Sequence, residues 1–164
     1  MNTEILNKRM TILAGILLVT TLMITAPSLY AATQDFKIET FGIVDGNPSM
    51  TVKGTAGGTT PPDGEIFAYV FFTNKGIFAV TSHPGIEDSD EVENDEEWHA
   101  HKVKLNEENC VTDLTEQGKA VLDGDTVSVD NTPATEVTQV LTAHLLVENG
   151  EVCVDEVFDS QDEP

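Results

Sequence analysis

Arginine is almost missing from this chain: Arg9 is the only one in 164 residues, beside seven lysines and 29 acidic residues. Beyond residue 32 the basic set shrinks to six lysines against 28 acidic side chains, a net charge of −22. A surface so negative repels phosphate backbones and anionic membranes, which argues against nucleic-acid binding. With neither arginine nor a Gly-rich phosphate loop, a phosphate-handling site is also unexpected. Long apolar runs are absent too. The apolar run Thr11 to Ala26, without charge, has sixteen residues, short of the roughly 20 that a spanning helix needs. Cysteine occurs twice, at Cys110 and Cys153. There is no His-Glu-x-x-His, no Gly-x-Ser-x-Gly and no internal repeat, so the common zinc-protease and serine-hydrolase frameworks are excluded.

What is present begins with an export signature. Lys8 and Arg9 lead into the apolar run, and Pro27, Ser28, Ala31 and Ala32 supply small residues at its exit. A basic start, a short apolar middle and a small-residue end describe a secretory signal peptide over residues 1–32. An uncleaved anchor is the competing reading. Export predicts a secreted or cell-surface protein with a mature N-terminus between residues 29 and 33 and no membrane span after processing. In an oxidising compartment Cys110 and Cys153 are expected to form one disulfide. Closing the loop of about 44 residues between them stabilises by about 4 kcal/mol in the chain-entropy model. The alternative is a thiolate metal ligand.

Alternation dominates residues 33–158. Phe36, Ile38 and Thr40 open a first strand that ends near Asp45-Gly46-Asn47-Pro48, and Met50 and Val52 mark a second. Residues 65–73 are apolar on both faces, as a strand covered on both sides must be. Asn74-Lys75-Gly76 is a hairpin signal into residues 77–81. Residues 98–105 alternate again, Val127 and Val129 mark a short strand, and 136–147 turns at Glu148-Asn149-Gly150 into 151–158. Residues 133–144 also fit a helix with Pro133 at its first position, but the Thr and Val content favours a strand. Seven or eight short strands predict an all-β fold, an antiparallel immunoglobulin-like β-sandwich. Two segments stand apart: an acidic loop over 87–97, with eight acidic residues in eleven, and an acidic tail over 159–164, expected to fray. Calcium is conceivable at Asp123-Gly124-Asp125 or in the acidic loop, although the EF-hand pattern is missing.

Four histidines carry the remaining chemistry: His83, His99, His101 and His144. In Trp98-His99-Ala100-His101 the two imidazoles are two residues apart on a strand and share a face, about 6.6 Å apart at Cα. That spacing lets both reach one ion, and copper or zinc accepts such ligands. His144, ahead of His83, is expected as the third ligand, provided strands 98–105 and 136–147 are neighbours. Against this, Ala143, Leu145 and Val147 form the more apolar face of the late strand, so His144 and the pair can present to opposite sides. The histidines are then ordinary hydrogen-bonded residues. The His-x-His is similar to the metal strand of copper/zinc superoxide dismutases, which are also disulfide-bearing sandwiches. The likeness covers His99 and His101 alone; of the further histidines in that family only His144 remains, and its substrate-guiding arginine has no counterpart. Two functions follow as expectations. One is an exported acidic binding or assembly module, acting on metal ions or cell-surface proteins. The other is a small secreted copper- or zinc-dependent enzyme using His99, His101 and His144.

Overall fold

The computed structural model describes residues 33–86 and 97–162; the signal-peptide reading and nearly all of the acidic loop fall outside them. After a single 3-10 turn at Gln34–Phe36, ten strands follow. They are β1 (Ile38–Val44), β2 (Asn47–Val52), β3 (Ile66–Thr73), β4 (Gly76–Ser82) and β5 (His99–Leu105), then β6 (Val111–Glu116), β7 (Lys119–Asp123), β8 (Thr126–Asp130), β9 (Val137–Glu148) and β10 (Glu151–Asp162). All pairings are antiparallel, in a four-stranded sheet ordered β1-β2-β8-β7 and a six-stranded sheet ordered β10-β9-β3-β4-β5-β6. Asp45-Gly46 and Asn149-Gly150 close the β1–β2 and β9–β10 hairpins with positive φ at both central residues. That is the geometry whose twist matches the paired strands.

The expected β-sandwich is therefore present, with ten strands instead of seven or eight. Of residues 133–144, those from Val137 onward belong to strand β9, and 133–136 lead into it without helix. Strand order runs as A-B-E-D and G-F-C-C′-C″ do in variable-type immunoglobulin domains, with β6 as one further edge. The likeness is one of strand order; the inter-sheet disulfide of antibody domains has no counterpart, because Cys110–Cys153 lies within the six-stranded sheet's own edges. The unexpected strands are β6 and β7. β6 reads Val-Thr-Asp-Leu-Thr-Glu and is exposed along nearly its whole length, so no hydrophobic alternation announces it. Pairing with β5 and the Lys104–Asp113 contact of 2.7 Å hold it in place. The ammonium of Lys104 keeps the Asp113 carboxyl below its ordinary range.

The acidic tail also departs from expectation. Instead of fraying at Asp159, β10 continues to Asp162, opposite Gln139. The Ile38 N–H donates to Asp159 Oδ2 at 2.9 Å, and Gln161 Nε2 donates to the Ile38 carbonyl at 2.8 Å. These bonds satisfy backbone groups at the start of β1, where unpaired polar atoms would be costly. Tail and first strand therefore order each other.

The six-stranded sheet has two different apolar faces. Towards the four-stranded sheet, Phe67, Tyr69, Phe71, Phe78, Val80 and Val140 pack with Phe36, Met50, Val127 and Val129 in the sandwich core. On the other face, Ile66, Ala68, Val70, Ala79, Val103, Ala143 and Leu145 form a second buried cluster. That cluster is buried because the sheet rolls. A bridge and disulfide join Cys110 to Cys153, and the Val154 N–H donates to the Asn109 carbonyl at 3.2 Å, bringing the β6 side against β10. The predicted disulfide is thus formed, and its place is the seam of the roll.

Candidate metal centre

β5 begins beside the end of β4, with His99 opposite Thr81 and His101 opposite Ala79. Thr81 and Ala79 pair with Ala68 and Val70 on the rolled face, so both imidazoles point into the roll. His83 follows β4 directly and turns back over this corner. One ligand atom from each of His83, His99 and His101 lies within 4.8 Å of the others, making a group that could hold a metal ion. Their ring centroids are 4.6 Å apart for His83–His99 and for His99–His101, and 6.1 Å for His83–His101. His83 and His101 are buried at 3% and 1% exposure, which limits water's competition for the ring nitrogens.

The hydrogen bonds fix which nitrogens face inward. His83 Nδ1 lies 2.9 Å from the Ile86 carbonyl, and His99 Nδ1 lies 2.8 Å from the Glu97 carbonyl. A carbonyl oxygen only accepts, so each Nδ1 carries a proton, and in a neutral ring that leaves Nε2 as the nitrogen with a lone pair. Those two Nε2 atoms face one another at 2.9 Å. Two lone pairs so close repel unless a proton or a cation lies between them. Metal–nitrogen bonds of about 2.0–2.1 Å at tetrahedral angles put ligand nitrogens about 3.3 Å apart, so a shift of a few tenths of an ångström admits an ion. Ring orientation by backbone carbonyls is the usual outer support of histidine–metal sites.

His144 is not part of this group. It lies opposite Phe67 and Glu156, on the sandwich face of β9, and β3 and β4 separate its strand from β5. Its ring meets Phe67 edge-on at 5.8 Å and stacks over Phe158 at 6.5 Å. Nδ1 lies 3.1 Å from Asp155 and Nε2 lies 3.0 Å from Glu65. The preference for His144 over His83 is thus corrected: residue parity points it through the opposite face, where it bridges two carboxylates. The trio His99, His101 and His144 required by the metalloenzyme alternative is not assembled. Cys110 and Cys153 come close to Glu151, but both sulfurs are consumed by the disulfide.

No protein-family model matches this chain, and no curated protein or solved structure is detectably similar to it. The likeness to the superoxide dismutase metal strand accordingly stays confined to His99 and His101.

Proposed function

We propose that this chain is an exported metal-binding protein that holds one zinc or copper ion through His83, His99 and His101. It acts outside the cell or at its surface as a binding module. The observation that carries this reading is the 2.9 Å approach of two Nε2 atoms whose opposite ring nitrogens are both committed to backbone carbonyls. The basic, apolar and small-residue order of residues 1–32 supports export, as does a disulfide suited to an oxidising compartment. Three imidazoles in a tetrahedral arrangement suit zinc, and copper takes the same donors. The sequence from Glu87 to Glu97 carries eight acidic residues between the two ligand-bearing segments, and such a concentration of negative charge raises the local cation concentration.

Protein purified without a histidine tag, treated with chelator and titrated with zinc or copper, should take up one equivalent tightly. His99→Ala and His83→Ala should lose that equivalent and keep only weak, salt-sensitive adsorption to acidic groups. Equal tight binding in wild type and variants would assign the metal elsewhere and overturn the reading.

A further inference from the structure

We infer that the roll of the six-stranded sheet is a binding pocket for a small neutral apolar molecule of about one aromatic ring, seated beside the three histidines. Strands β3, β4 and β9 place aromatic and branched side chains on the sandwich face. On the rolled face they place Ala68 and Ala143, and Ala79 two residues further along, opposite Val70. Ala143 and Ala68 are direct register partners. Between these alanines and the seam residues Val152 and Val154 there remains a cavity of about 170 Å³. Native interiors leave few voids larger than a water molecule, so a space this large inside a buried cluster is a feature of the sequence.

Size and lining name the ligand class. An apolar cavity of about 150 Å³ engineered into an unrelated protein stays dry and takes up benzene. This one is close to that volume, and among the described residues its polar lining is Thr81, His83, His101 and Asn109. Among the described residues no carboxylate or ammonium lines it. A charged guest would be left unpaired there, and an anion would also meet the field of a strongly negative molecule. The inner wall, with Ile66, Ala68, Ala79, Val103 and Ala143, is buried within this single chain, while Leu114 and Val157 are exposed, so the space is a cleft running into the roll and not a flat docking face. His83 and His101 belong both to this wall and to the metal group. The guest therefore sits next to the ion; only this adjacency rests on the metal reading, and the pocket itself does not.

The test uses toluene as probe, titrated into the disulfide-intact protein by calorimetry or ligand-observed NMR. The titration is run once with chelator and once with one equivalent of zinc. Wild type should bind toluene saturably at one site. Ala79→Leu fills the space from its wall and should weaken binding by about tenfold or more while leaving zinc stoichiometry at one. Val70→Phe serves the same purpose should Ala79→Leu fail to fold by circular dichroism. His99→Ala should lose the metal and keep the affinity for toluene in chelator, so the two readings fail separately. No saturable toluene binding by wild type, or equal binding by the filled variants, overturns the pocket. So does a concentration-dependent dimer whose formation toluene does not affect, because the face is then a subunit interface.

Discussion

The two faces of the six-stranded sheet are made by the same strands and obey different rules. Facing the other sheet, β3 contributes Phe67, Tyr69 and Phe71, all fully buried. Phe36 and Phe158 close the stack, with ring centroids 4.8 to 5.7 Å apart in that cluster. Facing the roll, the same strand contributes Ile66, Ala68 and Val70. The first face is filled to density and carries stability. The second is underfilled, carries the histidine group and depends on a covalent seam. Stability and chemistry are separated by strand parity: moving a residue one position along any central strand transfers it from one role to the other.

The largest effect should come from breaking the filled face. Phe71→Ala removes a fully buried ring between Phe78 and Val140, and should cost about 3–5 kcal/mol in denaturant unfolding. A loss below about 1 kcal/mol would mean the two faces are packed alike. The contrast sharpens when Ala79→Leu, on the rolled face of the neighbouring strand, is measured alongside it. That substitution enters open space and should cost little.

The seam comes next. Replacing both cysteines by serine should cost about 2–4 kcal/mol. Amide exchange should then localise the loss, with β5 and β6 exchanging faster while β3 keeps its protection. Uniform loss across both sheets would show that the roll and the sandwich open as one unit.

How far the sequence spoke depends on the kind of signal. The alternation of Phe67, Tyr69 and Phe71 against Ile66, Ala68 and Val70 made β3 readable as a strand covered on both sides. The Asn-Gly and Asp-Gly pairs marked hairpins that are present. β6 was invisible, because an exposed edge strand needs no apolar face and is held by its neighbour. The tail was misread for a related reason: Asp159 and Gln161 look like solvated residues until the unpaired backbone of Ile38 is placed beside them. At the site, His99 and His101 were legible from parity alone. His83 was undervalued, although consecutive antiparallel strands bring the end of β4 to the start of β5 whatever lies between. That topological rule favours His83 over His144, and the apolar parity of Ala143 and Leu145 argues the same way. The carbonyls of Ile86 and Glu97, which set the tautomers, carry no side-chain signal and could only be seen in three dimensions.

The smallest effect tests whether the filled face is also the less polar one. Tyr69 is its hydroxyl-bearing ring among the described residues: the oxygen accepts from the Gly57 N–H at 2.9 Å and donates to the Asp35 carbonyl at 3.1 Å. Trp98 packs beside it at 5.0 Å, and its indole N–H donates to the Gly57 carbonyl at 3.3 Å. Burial pushes the phenol well above its ordinary value, the hydrogen bond from Gly57 lowers it less, and Asp35 raises it further. The folded state thus holds this proton more tightly than the unfolded chain. Its contribution to stability is complete below the ordinary tyrosine pKa of about 10 and falls as pH rises beyond it. Tyr69→Phe should cost about 1–2 kcal/mol at neutral pH, since two bonds are lost and Gly57 keeps an unpaired N–H. Above pH about 10 the gap between wild type and variant should narrow, because the phenylalanine has no proton to lose. Unfolding midpoints measured at neutral pH and at increasing alkalinity give both numbers. A gap that stays constant would place the hydroxyl in a wetter environment than its contacts describe. The filled face would then be less sealed than the rolled one.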